Sequence, residues 1–232
     1  MPKIDAPEKL FFSLLGKELT DDELCDIFPV AKAELDGHDR EHGVIKIELN
    51  DTNRPDLWSP AGVARALKTY STGEIPYYDF FSTKDEEKPS DGRMIIDDES
   101  AKGIRDFSIG FGCRGVTVDD DLLTNLIQSQ EKLCFNFGRK RKTIAMGIYR
   151  SELINYPVHY AAVDPDKTKF VPLGMTEELS LREICSKHPK GKEYGYIVSS
   201  FDKFPYLYDD KGETLSFPPV INSARIGAVE IG

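Results

Sequence analysis

Apolar and polar positions change period several times along the first seventy residues. PEKLFFSLLG has the signature of a short helix starting near Pro7, with Gly16 where it should end. Thr20-Asp21-Asp22-Glu23 is a capping box, in which Thr20 and Glu23 satisfy each other's orphan amides. The helix it opens carries Leu24, Ile27 and Phe28 on one face. AKAELDG and HGVIKIELN then alternate apolar with polar, the period of half-buried strands. The second strand runs into NDTNRPDLWSPAGVARALKTY, where Ser59 caps a helix with Pro60 at its first position. Val63, Ala64, Leu67 and Tyr70 line one side of that helix.

A composition shift follows. STGEIPYYDFFSTKDEEKPSDG is rich in Ser, Pro, Gly and acids and reads as a linker. Beyond it GRMIIDD, DFSIGFGCRGVTV, KTIAMGIYR, VHYAAVD, EYGYIVSS and PYLYDD all pattern as strands. One long helix interrupts them, DDDLLTNLIQSQEKLCFNFG. Its apolar stripe is Leu122, Leu123, Leu126, Ile127, Leu133 and Phe137, with acids at its start and Gly138 at its end. MTEELSLREICSKH predicts a second helix. The order of elements predicts an α+β fold. A small N-terminal α/β domain over residues 1–80 precedes a mostly antiparallel sheet domain with a few helices over 81–232.

Composition narrows the class. With 232 residues and 40% of them hydrophobic, the chain can bury a core without disulfide staples. No apolar run is long enough for a bilayer, and the N-terminus lacks the pattern of a signal peptide. Cys25, Cys113, Cys134 and Cys185 form no C-x-x-C pair and read as buried thiols of a reducing compartment. Thirty basic against forty acidic residues give a net charge of −10, so any RNA contact must come from a local patch.

His38 and His42 stand four apart, but between two strands they read as a solvated hairpin loop rather than a metal pair. No G-x-S-x-G, Walker loop or H-E-x-x-H occurs, which removes support for serine hydrolysis, P-loop binding and zincin chemistry. DDES and KDEEK read as solvated acidic loops. GRKRK, residues 138–142, is the concentrated basic patch. It is either a helix end whose cations meet the last carbonyls or a phosphate contact with salt-dependent binding. In DTNRPDLW, Asp56 either pairs with Arg54 or caps the turn. The adjacent prolines of LSFPPVINS force an extended backbone that offers Ser216 and Asn222 to a small ligand, or make a kinked edge strand.

These motifs, in this order, resemble the N-terminal part of the β subunit of phenylalanyl-tRNA synthetase in its archaeal and eukaryotic form. The stretches that carry the resemblance include LLGKELTDDEL, DTNRPDLWSPAGVARALK, QEKL, GRKRKTIAMGI, KFVPLG and PYLYDDKGETLSFPPVINS. The bacterial form has a tRNA-binding insert near its start, and here only a short turn separates AKAELD from VIKIEL. The resemblance implies partners: a catalytic α subunit in an α2β2 enzyme, and phenylalanine tRNA, with neither DNA nor membrane. It implies a cytoplasmic ligase that uses ATP and magnesium as a whole, with neither bound by this chain. It also implies that residues 81–232 are an editing domain, which hydrolyses tyrosine wrongly attached to phenylalanine tRNA.

By motif position the resemblance makes Leu207 an apolar wall of the substrate site, and Ser216 a polar contact to the tyrosine or the attacking water. Asn222 orients one of these, and these two polar residues are the catalytic candidates. Gln130, Arg139 and Arg141 meet the tRNA 3′ end. In the family a further strand after this segment adds an acidic residue and a threonine. The sequence stops at Gly232, so the editing domain is expected to be incomplete at its C-terminal end and weak in deacylation. Two readings stay open: an editing hydrolase, and a non-catalytic RNA-binding and subunit-assembly module.

Overall fold

The computed structural model describes residues 3–50, 53–78 and 93–229, which fall into two compact units. The first combines the described part of residues 1–84 with Thr117–Lys140, and the second takes the described parts of 85–116 and 141–230. The long helix therefore goes with the N-terminal unit, and the boundary near residue 80 lies outside the described residues, as does KDEEK.

In the first unit, β1 (Lys3–Pro7), β3 (Val44–Leu49) and β2 (Ala33–Asp39) form an antiparallel sheet in the order β1-β3-β2. The helices α1 (Glu8–Leu15), α2 (Asp21–Ile27) and α3 (Pro60–Thr72) supply most of the rest of its core. Alternation places Ile4, Ala6, Ile45, Ile47 and Leu49 inward, against Phe11, Leu15, Leu24, Phe28, Val63 and Leu67. Each of the larger side chains, Ala6 excepted, contributes roughly 1.5–3 kcal/mol on burial. The capping box forms: the Thr20 amide donates to Glu23 Oε2 at 2.8 Å, and the Glu23 amide to Thr20 Oγ1 at 3.3 Å. Ser59 Oγ accepts from the Gly62 amide at 3.0 Å. A Cβ on Gly62 would collide with the Asp56 carbonyl oxygen, so the PDLW turn can press against α3 only through a glycine. Tyr70 departs from expectation at 67% exposed, because α3 adds nothing to the core beyond Leu67.

Helix α4 (Asp120–Lys132) is capped by Asp119, whose side chain accepts from the Leu122 amide at 2.8 Å. Its Gln128 carboxamide bonds both the Asp5 amide (3.2 Å) and the Asp5 carbonyl (3.0 Å), imitating a neighbouring strand on the outer edge of β1. The predicted apolar stripe is only partly buried: Ile127 and Phe137 are exposed, and the buried residue of the helix is Asn125. From Leu133 to Phe137 the helix widens to π geometry, which rotates Phe137 off the stripe drawn at 3.6 residues per turn.

The second unit is built on a five-stranded sheet in the order β10-β9-β8-β5-β4. Its strands are β4 (Ile95–Asp97), β5 (Val158–Val163), β8 (Phe204–Asp209), β9 (Thr214–Phe217) and β10 (Ile221–Asn222). Every pairing is antiparallel except β4 with β5. A separate pair, β6 (Lys169–Phe170) and β7 (Leu179–Ser180), precedes α5 (Leu181–Lys187) and α6 (Pro189–Tyr194). One face of the large sheet packs Phe204, Tyr206 and Phe217 against Leu181, Ile184, Tyr194 and Val198. The other face carries Val158, Tyr160 and Leu207, clustered with Leu215, Ala101 and Ile226.

Several expected strands are absent. Residues 106–118 and 143–150 join no ladder, and Phe107, Ile109 and Phe111 alternate into solvent. Alternation marks a segment able to be a strand, but a ladder also needs a free neighbouring edge. EYGYIVSS is the end of α6 and a 3₁₀ turn, because Tyr194, Ile197 and Val198 repeat at helical spacing. The helix in MTEELSLREICSKH begins only at Leu181, where Ser180 and Glu183 make a second capping box. DDES is a turn, with Asp98 capping the Ser100 amide at 2.8 Å. Cys25 and Cys113 are exposed rather than buried, and none of the four cysteines forms a disulfide. No described helix is long and apolar enough to cross a membrane.

Candidate functional site on the central sheet

Register brings the sequence candidates of the second unit together. Asp97 pairs with Tyr160, Tyr160 with Leu207, Leu207 with Ser216, and Ser216 with Asn222. Residues opposite one another share a face, so these five form one row across all five strands. Immediately beyond Leu207 the register slips, because Tyr208 faces Thr214 and Leu215 is an extra residue. Such a bulge turns side chains without ending the ladder. The double proline lies between β9 and β10, and β10 is the edge strand that LSFPPVINS predicted.

Leu207 is 7% exposed and Ser216 only 2%. The Tyr149 hydroxyl donates to Ser216 Oγ at 2.8 Å. Burial pushes Tyr149 up to about 12, outweighing the opposing effect of that bond, so the phenol keeps its proton at neutral pH. Tyr160 is likewise raised by burial to about 12, and its hydroxyl donates to the Arg105 carbonyl at 3.0 Å. Asn222 Nδ2 reaches the Ile148 carbonyl at 3.4 Å, a long contact that leaves the amide able to turn. A Cβ on Gly227 would strike the Asn222 side chain, which shows how closely the C-terminal segment crosses the row. With Ser216 2% exposed and bonded by Tyr149, a ligand reaching its hydroxyl must displace Tyr149.

The turn beside the row is fixed by a buried carboxylate. Asp209 Oδ2 accepts from the Asn155 side chain (2.6 Å) and amide (3.0 Å), and Oδ1 from the amides of Lys211 (2.9 Å) and Glu213 (2.8 Å). Burial pushes its pKa up, but these bonds outweigh it and hold the group below the usual carboxylate range. The D-x-x-G of DDKG carried this signal in the sequence; nothing there marked Tyr149 or Tyr160.

The GRKRK patch is divided. Arg139, Lys140 and Arg141 have φ values of 49°, 56° and 65°, three consecutive left-handed residues at roughly 1–2 kcal/mol each. Arg139 is exposed on the first unit, and Lys140 folds back over the Phe135 ring at 5.4 Å. Arg141 belongs to the second unit. Its Nη1 donates to the carbonyls of Pro219 (3.2 Å) and Val220 (3.0 Å), and its guanidinium stacks over Tyr194 at 4.2 Å. Arg141 thus braces the turn that delivers Asn222, a role in neither sequence reading. Gln130 is half-buried on α4 of the first unit.

Two more expectations are revised or settled. His42 is solvated, but the His38 ring is 3% exposed, with Nδ1 2.7 Å from Asp21 Oδ1 and Nε2 3.3 Å from Glu8 Oε1. That His38 bond, then Arg40, holds the Asp21 carboxyl below its ordinary range. Arg54 and Asp56 form a two-pronged pair at 2.9 and 2.7 Å. Among the described residues no group of three or more His, Cys, Asp or Glu side chains is placed to hold a metal.

No family model matches the chain. A phenylalanine–tRNA ligase beta subunit from Borreliella burgdorferi (strain ZS7) is 51% identical over 232 residues, all of this chain and 41% of that protein. The corresponding subunit from Borrelia hermsii (strain HS1 / DAH) is 46% identical over the same span and share. Among solved structures, an N-terminal fragment of the phenylalanyl-tRNA synthetase beta subunit from Pyrococcus horikoshii aligns with a TM-score of 0.86 and 37% identity. That alignment covers 99% of this chain and 65% of the fragment. The chain thus spans 41% of the length of these curated relatives.

Proposed function

We propose that this chain corresponds to the N-terminal region of a phenylalanine–tRNA ligase beta subunit and carries the region that, in the complete enzyme, hydrolyses tyrosine wrongly esterified to phenylalanine tRNA. The observation that carries the reading is the row of Leu207, Ser216 and Asn222 on adjacent strands, an apolar wall beside two neutral polar groups. The physics of selection explains the need. A pocket built for phenylalanine excludes an analogue with one more hydroxyl by only about 10²-fold. A site that hydrogen-bonds the tyrosine hydroxyl rejects phenylalanine by roughly 10⁴ to 10⁵, because phenylalanine leaves buried polar groups unpaired.

Leu207 packs the substrate, Ser216 contacts the tyrosine or the water, and Asn222 orients one of them. The water oxygen attacks the ester carbonyl, the ribose oxygen leaves with a proton, and hydrogen bonds to the developing oxyanion lower the barrier. This needs neither ATP nor magnesium on the chain; those serve the cytoplasmic enzyme as a whole, in which the subunit joins a catalytic α subunit as α2β2. Gln130 and Arg139 contribute to the grip on tRNA. The short turn between β2 and β3 and the likeness to the Pyrococcus horikoshii fragment support the archaeal and eukaryotic form.

A time course of tyrosyl- and phenylalanyl-ester hydrolysis on phenylalanine tRNA by the complete enzyme tests the reading: loss of the tyrosyl ester alone supports it. The burial of Ser216 under Tyr149 favours a second reading, an RNA-binding and assembly module without chemistry of its own. Tight tRNA binding with both esters intact would establish that one.

A further inference from the structure

One segment of the second unit engages both polar members of the row. The Tyr149 hydroxyl donates to Ser216 Oγ at 2.8 Å, and the Ile148 carbonyl accepts from Asn222 Nδ2 at 3.4 Å. The segment is tied at either end. Arg105 Nη1 donates to the carbonyls of Arg141 (3.3 Å) and Lys142 (3.0 Å), and the Arg150 amide donates to the Ile226 carbonyl (3.2 Å). Between these ties residues 143–149 join no ladder among the described residues. The Tyr149 ring packs on the cluster that holds Tyr160, Leu207, Leu215 and Ile226, with its hydroxyl at the serine. A Cβ on Gly147 would collide with the Tyr149 hydroxyl and ring, so the ring lies back across a position that glycine leaves open. A p-hydroxyphenyl group against apolar side chains, its hydroxyl on Ser216, is the group that a tyrosyl ester would bring to the same serine. Two rings cannot share that place.

We propose that Tyr149 is an internal stand-in for the tyrosyl side chain, filling the place of the substrate's ring in the free protein and exchanging its bond to Ser216 for the substrate's when a tyrosyl ester binds; this rests on the reading of the row as the tyrosine site. Only molecules with Tyr149 displaced can bind, so affinity is lowered by their fraction, equally for tyrosyl and phenylalanyl ligands. Tyr149 therefore sets affinity. The choice between ligands stays with Ser216, which a tyrosyl hydroxyl pairs and a phenylalanyl ring leaves unpaired.

The test is calorimetric titration of the 232-residue chain with L-tyrosinamide and L-phenylalaninamide. Tyr149→Phe removes the bond that holds the closed state, and should raise affinity for both amides about fivefold (about 1 kcal/mol) with the preference for tyrosinamide unchanged. Gly147→Ala expels the ring by contact while keeping its hydroxyl, and should act in the same direction. In the complete enzyme either substitution should raise kcat/KM on both esters by a like factor. Tighter amide binding in either variant, with no ester hydrolysis by the complete enzyme, upholds the stand-in and removes the hydrolase. Normal tyrosyl-ester hydrolysis, with amide affinity unchanged or lowered in both variants, overturns the stand-in and leaves the hydrolase standing. A tyrosinamide preference that falls in Tyr149→Phe overturns it too, because Tyr149 would then recognise the ligand, as does failure of every form to bind tyrosinamide at millimolar concentration.

Discussion

Replacing Ser216 with alanine leaves the buried Tyr149 hydroxyl without the acceptor it now reaches at 2.8 Å. An orphaned buried donor costs about 1–3 kcal/mol, and Tyr149, raised to about 12, cannot escape by ionising near neutral pH. Tyr149→Phe removes the donor and leaves Ser216 Oγ, itself 2% exposed, at a cost of about 1 kcal/mol. Removing both hydroxyls leaves no orphan, so the double variant should be more stable than the sum of the singles by about 1–2 kcal/mol. Urea unfolding followed by far-UV circular dichroism reads this directly. With a slope of about 2 kcal/mol per molar, a 2 kcal/mol loss moves the midpoint by about 1 M. Additive single effects would refute the reasoning and show that Ser216 and Tyr149 are solvated separately. In function the two should part: Ser216→Ala loses tyrosyl-ester hydrolysis and Tyr149→Phe, which frees the serine, retains it.

Asp209→Asn should destabilise the second unit by about 2–3 kcal/mol, since it weakens charge-assisted bonds from Asn155, Lys211 and Glu213. Because the folded pKa is depressed, this contribution is present above the ordinary aspartate value near 3.9 and disappears as pH falls through the folded value. Urea midpoints measured downward from pH 5 should therefore fall less steeply in the variant, and parallel profiles would remove Asp209 from the account. Arg141→Ala should lower the melting temperature, because it strips the brace from Pro219 and Val220 and the stack on Tyr194. Arg139→Ala should leave the melt unchanged and flatten the salt dependence of tRNA binding, and the opposite assignment in filter-binding titrations would contradict the division of the patch.

What the sequence made legible was local chemistry. The Thr20 capping box, the Ser59-Pro60 start and the hairpin of β2 and β3 are each encoded within a few residues, and each forms. Strand assignments that depended on alternation alone divided: 158–163 found partners in β4 and β8, whereas 106–118 and 143–150 found none. Pairing is a property of two segments, and one segment's pattern cannot report it. His38 shows the same limit: its loop context marks it as solvated, but its burial comes from Glu8 and Asp21, both distant in sequence. In the candidate site, motif position named Leu207, Ser216 and Asn222, and only register could put them in one row. Tyr149, which covers the row, is written into the sequence as one more residue of an alternating stretch.

The central claim is that this row distinguishes a tyrosyl from a phenylalanyl ester by hydrogen bonding. It is tested most directly by the ratio of the two hydrolysis rates on phenylalanine tRNA, measured on the complete enzyme with the wild-type sequence and with Ser216→Ala. The account predicts a wild-type ratio far above one that collapses in the variant mainly through loss of the tyrosyl rate, with the fold intact by circular dichroism. Equal rates for the two esters in the wild type, or a ratio unchanged by Ser216→Ala, would contradict it.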